Sequence, residues 1–128
     1  MLKQGAVLWI PSGLGGSEHM HVVLSRPEDN SQSIVLVPWT TRDDGVDEAC
    51  VIYAHDHENV DHDTCVDYQR ARSASEAELL DALDTRRIRQ VASVSEPLLD
   101  RILAGANERA NLMANECEEI LLAQGLID

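Results

Sequence analysis

Apolar residues gather in short runs over the first half of the chain and in helical stripes over the second. Gly5 to Ile10 is almost wholly apolar, as expected of a strand buried on both faces. Pro11 to Ser17, with three glycines and a proline, breaks it and reads as a flexible connection. His19 to Ser25 is a second strand, Arg26 to Gln32 a polar turn, and Ser33 to Val37 a third strand rich in β-branched residues; the pair predicts a hairpin. After a turn over residues 41 to 48, Ala49 to Ala54 resumes the strand pattern, and Cys65 to Tyr68 is a short fifth strand beyond a loop holding His55, His57 and His62.

Strand character is expected to stop there. Ser75 with Glu78 has the form of a capping box, the glutamate reaching back to the serine amide, and Leu79, Leu80 and Leu83 supply one helix face. Arg86 to Val94 reads as irregular, with Ile88, Val91 and Val94 docking on the sheet. Ser95 caps a second helix with Pro97 in its first turn and Leu98, Leu99, Ile102 and Leu103 on its buried face. Gly105 either ends this helix or is absorbed into it. Ala106, Ala110, Met113, Cys117, Ile120 and Leu121 then recur at three- and four-residue steps until Gly125, which predicts a last amphipathic helix. Such a stripe covers a core or docks a partner.

The expected fold is α+β, mainly β in the N-terminal half: a small SH3-like barrel over residues 1–72, then two or three helices over 73–128, within one domain. A chain of 128 residues suits that size. No apolar run reaches the ~18 residues of a membrane span, and the N-terminus reads as a strand and not as a secretory signal, so a soluble, cytoplasmic protein is expected. Three irregularly spaced cysteines, Cys50, Cys65 and Cys117, suit reduced thiols better than a disulfide framework.

Charge complicates any interaction with nucleic acid. The net charge is −13, and an acidic surface opposes phosphate. No lysine or arginine lies between Arg42 and Arg70, whereas Arg70, Arg72, Arg86, Arg87 and Arg89 cluster within twenty positions. These arginines form a local basic patch or pair with surface carboxylates.

The layout of strand, Gly-rich loop, strand, turn, strand and Thr40-Thr41 resembles the MazF/PemK toxins, the CcdB/Kid-type barrel proteins of type II toxin–antitoxin systems. Val22 to Ser25 (VVLS) matches the family's Arg-Pro-x-Val-Val-Leu-Ser, with His19 standing where the family has its active arginine. Val37 to Thr40 (VPWT) is similar to Val-Pro-x-Thr and makes Thr40 the second matching position. His62 to Arg72 (HDTCVDYQRAR) resembles a downstream segment of some PemK-like proteins, which would place His62, Thr64, Tyr68, Arg70 and Arg72 along one strand, with Asp63 available to orient an imidazole. The alternative is that Val66 and Tyr68 are core residues.

The resemblance implies an endoribonuclease with an altered site, single-stranded RNA as substrate, an antitoxin or other protein partner and a homodimer. His19, Thr40 and His62 are the candidate catalytic residues, and His21, Arg26, Arg70 and Arg72 the candidate substrate-binding ones. Histidine suits the exchange, because its ordinary pKa near ~6.5 lets it give or take a proton near neutrality. His19 and His21, two apart on a strand, would share a face, and Thr40 could donate to a phosphate oxygen. His55, His57, His62 and Cys65 are all ligand types that zinc prefers, but their spacing fits no usual tetrahedral site, and no cofactor or metal is expected. Cys65 three residues from His62 is a weak arrangement for a cysteine nucleophile. A contrasting reading is a barrel that has lost cleavage and acts as an acidic protein-binding or nucleic-acid-mimicking module.

Overall fold

In a computed structural model of the chain, which describes residues 1–11 and 18–128, seven strands form one antiparallel sheet. The Gly-rich connection expected over 11–17 lies outside the described residues, apart from Pro11. The strands are β1 (Val7–Pro11), β2 (Glu18–Val23), β3 (Ile34–Thr41), β4 (Val51–Ile52), β5 (Thr64–Val66), β6 (Arg72–Ala74) and β7 (Arg89–Val91). Their order is β4-β5-β3-β2-β1-β7, with β6 also on β3. Three helices, α1 (Glu76–Asp84), α2 (Glu96–Glu108) and α3 (Asn115–Ala123), complete an α+β fold.

β3 organises the sheet. One edge pairs with β2; the other pairs with β6 at Ile34 to Leu36 and with β5 at Trp39 to Thr41. Pro38 sits between those two ladders, where its lack of an N–H costs least, and its carbonyl accepts from the Asp67 amide at 2.8 Å. Alternate β3 residues enter two cores. Val35, Val37 and Trp39 pack with Leu98, Ile102, Cys117 and Leu121 of α2 and α3, while Ile34 and Leu36 pack with Leu8, Ile10, Ile88 and Leu79 of α1. Helices thus cover both faces, which is why β1 and β3 are continuously apolar. At the open ends of the sheet, the His57 imidazole after β4 donates its Nε2 proton to the Ala92 carbonyl after β7 and accepts from the Asn59 amide at Nδ1, bridging the two edges.

Several expectations are corrected. Strand structure does not stop at residue 72, since β6 and β7 add to β3 and β1. The 62–72 segment is not one strand: β5 ends at Val66, Tyr68 to Arg70 is a 3₁₀ turn, and β6 follows. Val66 and Tyr68 are core residues, as the simpler reading had it. Leu80 points outward, leaving Leu79 buried and Leu83 half-buried on α1. In the capping box, Glu78 accepts from the Ser75 hydroxyl instead of its amide, which donates to no carboxylate among the described residues. Gly105 is absorbed into α2, and the stripe beyond it is split by a 3₁₀ turn at Ala110–Leu112 before α3.

No helix of the described residues is long and apolar enough to cross a membrane. All three cysteines are free and buried, and burial pushes each thiol up from its ordinary value. Cys65, fully enclosed, therefore lacks the exposed thiolate that a nucleophile requires.

Burial of His21 has a measurable consequence. Its side chain is 4% exposed and its Nδ1–H donates to the His19 carbonyl at 2.9 Å. Burial first, then the nearby Arg72 and His19 charges, hold its imidazole down at about 4, against the favourable carbonyl contact. The unfolded chain takes up this proton near its ordinary ~6.5 and the folded chain resists it, so stability is lost as pH falls from ~6.5 toward ~4, by about 3 kcal/mol in full. His21→Gln is expected to remove that portion of the acid sensitivity, read as a smaller drop in the urea midpoint between pH 7 and pH 4.5 than in the unmodified protein. Identical pH dependence in the two proteins would contradict it.

Candidate functional site

The β2–β3 ladder ends with His21 against Pro38, and just beyond it His19 of β2 and Thr40 of β3 reach the same pocket. Both belong to the β2–β3 end at which β3 passes over to β5. His19 is half-buried, and its Nδ1 lies 3.1 Å from the Trp39 carbonyl. A carbonyl only accepts, so Nδ1 carries the proton, and in the neutral ring the Nε2 lone pair is the free one.

His62 arrives from the loop between β4 and β5. That loop is fixed by the reciprocal amide–carbonyl contacts of His55, His57 and Val60, and Val60 is sunk into the core. The His62 carbonyl accepts from Thr64 Oγ1 at 3.0 Å, which pins the residue as β5 begins. Its ring makes two contacts, Nδ1 to Asp61 Oδ1 at 2.6 Å and Nε2 to Thr41 Oγ1 at 3.1 Å. Asp63, expected to orient an imidazole, is engaged elsewhere. One of its oxygens meets Arg42 Nη1 at 3.2 Å and the other accepts from the Ala54 amide, and Asp61 holds the ring in its place. The His62 hydrogen bond keeps the Asp61 carboxyl below the ordinary aspartate value.

His19, Thr40 and His62 line one pocket of about 210 Å³, together with Trp9, Trp39 and Thr41. Trp39 Nε1 is the single buried side-chain polar atom without a hydrogen-bond partner among the described residues. No lysine or arginine lines this pocket among the described residues. Its polar side chains are two imidazoles, the threonine hydroxyls, the Asn59 carboxamide and the exposed Glu18 carboxylate, able to exchange protons and to donate to an oxyanion.

The other candidates are dispersed. His21 is buried beneath the sheet surface and does not line the pocket. Arg26 ties the β2–β3 turn to the chain end: its guanidinium meets Asp29 at 2.7 Å and the Gln124 carbonyl at 2.6 Å. Arg72 lies beside α1 with Glu78 and Asp81. Arg70, 3.5 Å from Asp67, lines a neighbouring cavity of about 510 Å³ that Thr40 also borders. The four potential zinc ligands do not converge either, since Cys65 and His57 are buried with separate partners and no three acidic, histidine or cysteine residues gather as a metal site among the described residues.

No family model matches the sequence, and no curated protein matches it. A chain in the crystal structure of MazE–MazF from Deinococcus radiodurans is similar in structure, with a TM-score of 0.55 and 19% identity over 88% of this chain and 98% of that one. At such identity the likeness concerns the backbone, and the conclusion it carries is that this chain has a MazF-like fold.

Proposed function

We propose that the chain is an endoribonuclease with an imidazole, that of His19, at the position where the MazF/PemK pattern has arginine. The observation that carries this reading is the convergence of His19, Thr40 and His62, from two strands and a loop, on one pocket. The chemistry is attack by the RNA 2′-hydroxyl on its own phosphorus. One imidazole takes the 2′ proton, the other gives a proton to the departing 5′ oxygen, and Thr40 donates to a non-bridging phosphate oxygen. Trp9, half-buried at the pocket, offers apolar ring surface for an adjoining base. Arg70, in the cavity bordered by Thr40, would meet the next phosphate. The similar chain is from a MazE–MazF structure, which supports a protein partner of antitoxin type; a homodimer is what the resemblance to the MazF/PemK pattern implies.

Inducible expression in a bacterial host tests this. Growth arrest with loss of cellular RNA is expected, relieved by His19→Ala, Thr40→Ala or His62→Ala. A folded protein that neither slows growth nor cuts any RNA offered would overturn the reading.

One observation favours a second reading, an acidic protein-binding module. Most arginines are already paired: Arg26 with Asp29, Arg42 with Glu48 and Asp63, Arg70 with Asp67, Arg87 with Asp81, Arg101 with Asp56 and Arg109 with Asp47. With a net charge of −13 and a pocket without lysine or arginine among the described residues, phosphate attraction is weak and a basic partner is well matched. Under that reading the pocket variants leave partner binding and growth unchanged.

A further inference from the structure

Asp61, His62 and Thr41 form a continuous hydrogen-bonded array, carboxylate to Nδ1 at 2.6 Å and Nε2 to hydroxyl at 3.1 Å. The strand match does not bring Asp61 forward, and it brings Thr41 forward only as the end of β3, with no role. The polarity of the array follows from its ends. A carboxylate oxygen accepts only, so Nδ1 carries the proton; in the neutral ring Nε2 then has the lone pair, and the Thr41 hydroxyl donates to it. Thr41 and His62 both line the pocket, so this lone pair lies at the solvent-open pocket wall.

The alternative orienting carboxylate, Asp63, is held by Arg42 and the Ala54 amide. Asp61 makes no ion pair with an arginine or lysine among the described residues, and its carboxyl sits below the ordinary aspartate value because of His62. The backbone of His62 is fixed through its carbonyl by Thr64. The ring is therefore held at Nδ1, at Nε2 and at the main chain.

Resting on the reading given under Proposed function, we propose that Asp61 and Thr41 are positioning residues that fix His62 in its Nδ1–H form and aim Nε2 into the pocket as the acceptor of the RNA 2′-hydroxyl proton. The step balances without a further reactant. The 2′ proton passes to His62 Nε2 as the 2′ oxygen bonds to phosphorus. The bond from phosphorus to the 5′ oxygen breaks, and that oxygen takes a proton from the imidazolium form of His19, leaving a 2′,3′-cyclic phosphate and a 5′-hydroxyl. As RNA enters, its 2′-hydroxyl takes over the acceptor that Thr41 holds in the free protein.

The test joins a spectroscopic readout to a kinetic one, using Asp61→Asn, Asp61→Glu and Thr41→Val in the full chain. Nitrogen-15 NMR of the His62 ring at a pH where it is neutral is expected to show Nδ1–H in the unmodified protein and a shift toward Nε2–H in Asp61→Asn, because an amide can present a donor to Nδ1. On a mixed-sequence RNA, Asp61→Asn is expected to lower kcat at least about tenfold with KM within about twofold, and Asp61→Glu to recover part of the loss. Thr41→Val is expected to lower kcat less than Asp61→Asn does. An unmodified ring found as Nε2–H, or an Asp61→Asn protein unchanged in tautomer and in kcat, would overturn the proposal. The tautomer is read without any substrate, so an array that behaves as described in a protein that cuts no RNA overturns the catalytic role and the proposed function while leaving the geometry standing.

Discussion

His62→Ala is expected to slow RNA cleavage by a factor of ~10²–10⁴, the range typical of removing a positioned general base, while leaving stability within about 0.5 kcal/mol. The two halves of this expectation come from the same geometry. The His62 side chain is 58% exposed and its carboxylate partner more so, which makes their contact weak as a folding interaction. Its fixed backbone and the Asp61 and Thr41 contacts nonetheless aim Nε2 at the pocket shared with His19 and Thr40. Single-turnover cleavage rates and urea midpoints, taken on the same preparations, check both halves. A large loss of stability alongside the loss of cleavage would mean that His62 serves the fold. An unchanged rate would remove it from the chemistry.

Gly105→Ala is expected to destabilise the protein by about 3 kcal/mol or more, the upper part of the range for overpacking a core. Gly105 occupies the α2 face of Leu98 and Ile102, and there the helix backbone lies against the Tyr68 ring. An added Cβ would overlap Tyr68 Oη, stand 2.9 Å from Cζ and press on Cys50 Cβ at 3.1 Å. Tyr68 has no free direction in which to yield, being fully enclosed with its hydroxyl donating to the Ile102 carbonyl at 2.8 Å. Burial pushes its phenol well above the ordinary value, so that hydroxyl stays protonated and donating. Thermal and urea unfolding measure the loss. Tyr68→Phe, which removes the nearest atom, is expected to cost about 1 kcal/mol alone and to recover part of the Gly105→Ala loss when the two are combined. Near-native stability of Gly105→Ala would show that α2 can move away from the sheet.

The first three strands were legible because their side chains bring their own burial: runs such as Val22 to Leu24 and Ile34 to Val37 are apolar on both faces, and both faces are covered. β6 and β7 were not legible. Arg72 to Ala74 and Arg89 to Val91 are short and half-exposed, and they are strands only because β3 and β1 have edges to offer them. The turn at Ala110–Leu112 was hidden for the opposite reason. Ala106, Met113, Cys117 and Leu121 all reach the same core, so the apolar spacing runs unbroken across a change of helix that no glycine or proline marks.

In the pocket, His19 and Thr40 could be set at one end of the hairpin, because antiparallel pairing brings the start of one strand to the end of the next. His62 was visible as a residue but not as a neighbour, since its place depends on how the loop is pulled in by Val60. The choice between Asp61 and Asp63 was out of reach of spacing altogether. It turns on Arg42, which claims Asp63 from the far end of β3. Trp39 and Thr41 were hidden too, because the alternation of β3 assigns them to the face opposite Thr40.

The most direct measurement is cleavage of one RNA compared with the same strand carrying 2′-deoxyribose at the cut position. The purified protein is expected to cut the all-ribose strand, to leave 2′,3′-cyclic phosphate and 5′-hydroxyl ends, and to spare the strand lacking that 2′-hydroxyl. Cutting of both strands alike, or of neither, would contradict it.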